Sequence, residues 1–268
     1  MVKSFLIAEA GINHNGNLKT AIRLVDAAKK SGADAIKFQT YKTEKRIHKK
    51  YTNVFDILKK CELTYKEFKI IKDYCDYKKI KFFSTPFDLE AVDFLHSLKV
   101  NLFKVASFDI SNKSLIDKIL EKKTKTIVST GMASLHEINA VYKKFQRKKI
   151  PLILMHCISS YPNKIENSYL SNINFLKKKF NCEIGLSDHS NGIEVPVYSA
   201  LLGVKYIEKH FKINENHKCV DAKVSITKNQ FINLKKNLSQ ISKIIGKPKF
   251  GVRSEELNST IFKRKKIY

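Results

Sequence analysis

The chain has 268 residues with 43% hydrophobic content, about the length of one α/β barrel and enough for a sizeable core. Its 51 Lys and Arg against 25 Asp and Glu give a formal net charge of +26, but the excess is nearly all Lys spread over predicted helices, without the concentrated Arg or aromatic stripe of a nucleic-acid binder, so no specific nucleic-acid partner is expected. No apolar run approaches the roughly 18 residues of a membrane span, the N-terminal apolar run breaks at Glu9, too early for a secretory signal, and five scattered cysteines without a CxxC pair fit a reducing compartment; a cytoplasmic protein without membrane contact is expected.

The first predicted strand, FLIAE (5–9), ends on Glu9 and runs into the loop GINHNG. That loop lacks both the GxGxxG spacing and the Walker lysine of phosphate-binding loops, and Asn13 and His14 are expected to shape it. A helical pattern covers 18–31. The second strand, AIKFQ (35–39), carries Lys37 and Gln39 on one face, because side chains alternate along a strand. Residues 40–62 then form a long charged loop or short helix, the kind of excursion that builds a site. The helix over 64–79 opens on Thr64 with Glu67 three residues on, a capping-box pattern.

The third strand, KFFST (81–85), supplies Thr85 and leads into Pro86 and Phe87, and a helix follows over 89–98. LFKVA (102–106) carries Lys104, with Ser107 behind it and a helix over 113–122. TIVST (126–130) delivers Ser129 and Thr130 to Gly131, and the helix over 134–148 repeats the capping box with Ser134 and Glu137. LILMH (152–156) ends on His156, followed by Ser159, Tyr161 and a helix over 166–180. EIGLS (183–187) leads to Ser187, Asp188 and His189, with a helix over 191–203. The last strand, YIEKH (206–210), puts Glu208 and His210 on one face, and an eighth helix fits 227–245.

Eight strand–helix units predict an α/β chain folded as a (β/α)8 TIM barrel over residues 1–250, with a doubly wound sheet as the alternative. In a parallel barrel every C-terminal strand end opens on the same rim, where active sites sit. Lys37 and Lys104 lie mid-strand among apolar neighbours, where an unpaired ammonium is costly. Either each pairs with a barrel carboxylate such as Glu9 or Glu208, or the two neutralise an anionic ligand with help from Thr85, Ser107, Ser129 and the Gly131 backbone. His189 and His210 close neighbouring strands and suit a divalent metal with open positions. His156 is either a third ligand or packed under the rim. Glu208 either orients a ligand or moves a proton.

The motifs AEAGINHNG (8–16), DAIKFQTYK (34–42), FSTPFD (83–88), FKVASFD (103–109), STGMAS (129–134), MHCISSYP (155–162), GLSDHS (185–190) and IEKHF (207–211) together resemble the N-acetylneuraminate (sialic acid) synthase family, whose relatives make legionaminic and pseudaminic acids. The resemblance runs in order over nearly the whole chain. It implies condensation of phosphoenolpyruvate with an N-acylated amino sugar and water, giving a nine-carbon 2-keto sugar acid and phosphate. It implies that His189 and His210 hold a divalent metal, manganese first, with magnesium or cobalt as alternatives. Lys37, Thr85, Lys104, Ser107, Ser129 and Ser159 would bind phosphoenolpyruvate. Glu9, Gln39, Phe87, Tyr161 and Asp221 would face the sugar, and Glu9, Glu208 and Lys104 would be catalytic.

The departures from the family pattern all touch the sugar side. Family members carry a C-terminal antifreeze-like domain that brings an arginine to the partner subunit's site; residues 251–268 are expected to be a tail where that domain would begin. The stretch NHKCVDAKVS has Cys219, Val220 and Ala222 where the family tends to Gly-Pro-Asp-His, while Asp221 and Lys223 remain. The loop 41–62 is shorter than typical, and Ser159 stands where some members have asparagine. A homodimer is the expected assembly, with a separate antifreeze-like domain as a further candidate partner. The alternatives are a Schiff-base aldolase on the same fold, with Lys104 or Lys37 as nucleophile, and a non-catalytic barrel that binds a sugar phosphate.

Overall fold

The computed structural model describes residues 4–264, so residues 1–3 of the expected 1–250 barrel and 265–268 of the expected 251–268 tail lie outside the described residues. Eight strands form the frame: β1 (Phe5–Gly11), β2 (Ala35–Thr40), β3 (Lys81–Pro86), β4 (Phe103–Val105), β5 (Thr126–Ser129), β6 (Leu152–Cys157), β7 (Glu183–Asp188) and β8 (Tyr206–Lys212). Each pairs in parallel with the next, and β8 pairs in parallel with β1. That last pairing closes the sheet and decides for a (β/α)8 barrel over a doubly wound sheet. A two-residue strand, β9 (Ile226–Thr227), adds to β8 beyond the closure and has no counterpart in the sequence reading.

The helices follow from periodicity and caps. They are α1 (Leu18–Lys30), α2 (Thr43–Arg46), α3 (Thr52–Cys61), α4 (Tyr65–Tyr77), α5 (Leu89–Ser97), α6 (Lys113–Glu121), α7 (Leu135–Arg147), α8 (Ser171–Lys179), α9 (Glu194–Leu201) and α10 (Lys228–Ile245). In α1 the buried Ala21, Leu24, Val25 and Ala28 make one stripe at helical spacing against the barrel. Both expected capping boxes are formed, Thr64 with Glu67 on α4 and Ser134 with Glu137 on α7. A third, Thr227 with Gln230, starts α10. The helix expected from 166 begins only at Ser171, after a single 3-10 turn at Ile165–Asn167.

Strand alternation sorts the buried residues into two sets. Ile36 and Phe38 of β2 face the helices, while Lys37 and Gln39 face the barrel axis. On β8, Glu208 and His210 face the axis and the fully buried Lys209 faces outward. The stretch after β2 is built as α2 and α3 and carries its own small apolar cluster. Ile12, Tyr41, Leu58 and Cys61 are buried there, with Ile47 and Phe87 packed against them, apart from the main core.

Candidate active site

The C-terminal strand ends enclose a cavity of about 230 Å³. Its lining includes Glu9, Lys37, Gln39, Thr85, Phe87, Lys104, Ser107, Ser129, Tyr161, His189, Glu208, His210 and Asp221. Residues from all eight strands therefore meet, as the rim argument requires. Ser159 alone among the expected site residues does not line the cavity; it stands behind Gly131.

Two lysines and two carboxylates occupy the floor. Lys37 Nζ lies 2.9 Å from Glu9 Oε2 and 3.7 Å from Glu208 Oε2, and donates to Thr85 Oγ1 at 3.0 Å. Lys104 Nζ donates to Glu208 Oε1 at 2.7 Å, and Ser187 Oγ donates to the same oxygen at 2.9 Å. The pairing alternative thus describes the lysines in this structure, and a ligand phosphate would compete with these carboxylates. The shared cations split the two acids. Burial pushes the Glu9 carboxyl up; Lys37 opposes this, and the Glu208 charge reinforces it. Burial works the same way on Glu208, but Lys104 and Lys37 outweigh it and hold that carboxyl well below the usual range. Burial also lowers Lys104, against the pull of Glu208. One raised and one depressed carboxyl in one cavity is the pattern that separates a proton carrier from a fixed anion.

A group of hydroxyls surrounds Gly131. Its N–H donates to Ser107 Oγ at 3.1 Å. A Cβ on Gly131 would fall 2.5 Å from Ser159 Oγ and 2.8 Å from Ser107 Oγ. Ser129 Oγ and Ser159 Oγ are buried without a hydrogen-bond partner. Orphaned buried hydroxyls cost free energy unless something accepts from them or donates to them, and an anion beside the two lysines would do so.

Polar groups also crowd a second glycine. Gly11 has φ +50°, and a Cβ there would lie 3.3 Å from Asp221 Oδ2, 3.3 Å from Glu9 Oε1 and 3.4 Å from Gln39 Nε2. Asn13 and His14 do shape this loop. Asn13 Nδ2 donates to the Phe211 carbonyl and to Ser225 Oγ, both at 2.9 Å. His14 Nδ1 accepts from the Gly16 N–H at 3.1 Å, and burial depresses its pKa to about 4.

The two histidines stand side by side with ring centroids 5.3 Å apart. His189 Nδ1 is 2.7 Å from the Ile158 carbonyl, so it donates and leaves Nε2 as the lone-pair nitrogen. His210 Nδ1 lies 3.3 Å from Asp221 Oδ2 without hydrogen-bond geometry, a buried nitrogen lacking a partner. Two neighbouring imidazoles, one with an unpartnered nitrogen, are donors that fit a divalent cation. Among the described residues no group of three or more His, Cys, Asp or Glu side chains is placed to hold a metal ion, so the chain itself would offer the two imidazoles as its donors. His156 is not part of the set: its Nε2 meets the Ser168 carbonyl at 2.7 Å, and it packs under the rim. Asp188 also turns away, pairing with Lys209 at 2.5 Å and accepting from Ser190 Oγ at 2.9 Å. This outward pair anchors the turn that swings His189 inward.

Five lining residues escape the sequence reading: Ile12, Arg46, Ala106, Phe108 and Cys157. Cys157 follows from alternation, two positions on from Met155 along β6. Arg46, at the end of α2, carries no periodic signal at all, since it lies in the stretch expected only as a long charged loop or short helix. Its guanidinium lies 3.8 Å from the Phe87 ring centroid and 4.6 Å from that of Tyr41. No helix among the described residues is long and apolar enough to cross a membrane.

Comparison with known proteins adds the family. The NeuB family model matches residues 24–250. The N,N'-diacetyllegionaminic acid synthase of Campylobacter jejuni is 35% identical over 98% of this chain and 84% of its own length. The pseudaminic acid synthase of the same species is 33% identical over 98% of this chain and 80% of its own. A crystal structure of the N-acetylneuraminic acid (sialic acid) synthetase of Leptospira borgpetersenii, in complex with citrate, superposes with a TM-score of 0.90 at 37% identity, covering 97% of this chain and 90% of that one.

Proposed function

The chain belongs to the NeuB family of sialic-acid and pseudaminic-acid synthases, and from that premise we propose that it condenses phosphoenolpyruvate with an N-acylated amino sugar and water. The products are phosphate and a nine-carbon 2-keto sugar acid. The observation that carries the reading is the meeting of Lys37, Lys104 and the Gly131 hydroxyl group with His189 and His210 in one cavity. An anionic donor and a cation-assisted acceptor need these two arrangements within a few ångströms of each other.

His189 and His210 would hold the metal, with Asp221 beside them; manganese is the first candidate on the family resemblance, with magnesium or cobalt as alternatives. When bound, such an ion supplies Lewis-acid polarisation of the sugar aldehyde. The remaining work falls to the chain's own groups. Lys37, Lys104, Thr85, Ser107 and Ser129 hold the phosphate and carboxylate of the donor, with Ser159 backing them from behind Gly131. Phosphoenolpyruvate C3 bonds to the aldehyde carbon, water adds at C2, and the C2–O bond to phosphate breaks. Once the donor has competed with Glu9 and Glu208 for the lysines, the ammonium groups and hydroxyls stay in place as charge shifts to the departing phosphate. Glu208, fixed as an anion by two lysines, stabilises positive charge developing at C2. Glu9, whose carboxyl burial pushes up, handles the proton of the attacking water at Oε1 or Oε2. Gln39, Tyr161, Phe87 and Asp221 orient the open-chain sugar.

The test is phosphate release from phosphoenolpyruvate with manganese, run against a panel of 2-acetamido and 2,4-diacetamido hexoses. Release with at least one acceptor supports the reading, and release with none removes it.

A further inference from the structure

Arg46 is the one cavity-lining cation that no carboxylate neutralises among the described residues. Its side chain is half-buried, packed in the corner between the perpendicular rings of Phe87 and Tyr41, and its Nη1 donates to Gln39 Oε1 at 2.9 Å. That bond uses one of the five N–H donors of a guanidinium. Contact with two aromatic rings and the bond to Gln39 restrict the group where it borders the cavity. A guanidinium held rigid with its donors unspent is pre-organised for an oxygen acceptor.

The charge of the cavity selects among acceptors. Its lining holds three cations (Lys37, Lys104 and Arg46) and three carboxylates (Glu9, Glu208 and Asp221). Phosphoenolpyruvate adds a carboxylate and a phosphate, which a divalent cation only partly offsets. A further phosphate on the sugar would leave a large uncompensated negative charge beside Asp221, at a cost set by the low local dielectric. A neutral carbonyl oxygen carries no such cost. Ile12, which belongs to the apolar cluster beneath Arg46 and also lines the cavity, offers a dry wall for a small alkyl group. A donor edge next to an apolar wall matches an acylamino substituent, with its oxygen on the guanidinium and its methyl on the wall.

We propose that Arg46, held by Phe87, Tyr41 and Gln39, is the residue that selects the acyl carbonyl of an uncharged N-acyl amino sugar. The inference rests on the acceptor site assigned above and names the residue and substituent it uses.

The experiment is calorimetric titration of the full chain, with manganese present and phosphoenolpyruvate left out so that no reaction runs. The probes are N-acetylmannosamine, its free amine mannosamine, and N-acetylmannosamine 6-phosphate. Arg46→Met keeps the apolar stem and removes the donors; Arg46→Lys serves if the first variant does not fold, since it keeps the charge without the planar fork. Losing a charge-assisted hydrogen bond predicts roughly tenfold to a hundredfold weaker binding of the uncharged acetamido sugar and a change under about twofold for the amine. Equal loss for both sugars, no loss for either, loss confined to the phosphorylated probe, or no binding by the unsubstituted protein overturns the proposal. Failure of phosphate release in the preceding assay, with the acetamido difference at Arg46 intact, removes the synthase reading and leaves Arg46 as an acylamino-binding residue.

Discussion

Asp221 donates its backbone N–H to Asn13 Oδ1 at 2.9 Å, joining the loop after β1 to the loop after β8 across 208 residues of sequence. Asn13 spends its amide group on Phe211 and Ser225 at the same time, so one buried side chain sets where the Asp221 carboxylate stands. Asn13→Ala removes three buried hydrogen bonds and is expected to cost about 2–4 kcal/mol of stability, read from urea unfolding. It should also raise KM for the sugar several-fold while leaving KM for phosphoenolpyruvate within about twofold. An equal rise in both constants would mean that the whole rim has moved.

Lys104 and Glu208 form a buried pair in which each compensates the other. Lys104→Met leaves Glu208 with Ser187 and the more distant Lys37, and should destabilise the fold by about 3–5 kcal/mol. Adding Glu208→Gln should recover much of that stability, with turnover still lost. The same lysine is the natural nucleophile for a Schiff-base mechanism, since burial lowers its pKa. Borohydride reduction in the presence of pyruvate should leave the mass of the protein unchanged; a covalent adduct on Lys104 would favour the aldolase.

Gly131→Ala would place a methyl group between Ser107 and Ser159, with the Cys157 carbonyl 3.2 Å away. The fold should lose about 1–3 kcal/mol through overpacking. Phosphoenolpyruvate affinity should drop by roughly tenfold or more, because the methyl occupies the space the hydroxyls face. Fluorescence or calorimetric titration with phosphoenolpyruvate alone checks this without any need for turnover.

Removal of divalent metal by chelation should abolish phosphate release, and manganese should restore it. His210→Gln should weaken manganese binding by at least about a hundredfold, since losing a direct ligand costs more than losing a residue that only orients one. Calorimetry with manganese alone gives that constant directly. Unchanged affinity would take His210 out of the coordination set.

Much of this architecture is legible in the sequence because two periods carry it. The alternation in AIKFQ and YIEKHF separates Lys37 from Phe38 and Glu208 from Lys209 before any coordinates are known. Parallel closure then brings the strand ends together, since eight short strands admit few other arrangements. What stays hidden depends on local conformation. Alternation in GLSDHS turns Asp188 away from the cavity between Ser187 and His189, but its partner, Lys209, emerges only from the register that opposes the two. Arg46 stays hidden for a different reason: a four-residue helix has too few positions to show a pattern. Its place against Phe87 and Tyr41 emerges only once β3 and the stretch after β2 are side by side.

That stretch has a consequence for how such an enzyme changes its preference over time. Tyr41, Leu58 and Cys61 are packed in a miniature core of their own, apart from the one that secures the eight strands. Substitutions among residues 41–62 can therefore remodel the wall proposed to face the sugar while the floor of Lys37, Glu9, Lys104 and Glu208 keeps its stability. Amide protons of this insert should exchange with deuterium well ahead of those in the barrel strands. Acceptor choice is thus the cheapest property of the molecule for selection to alter.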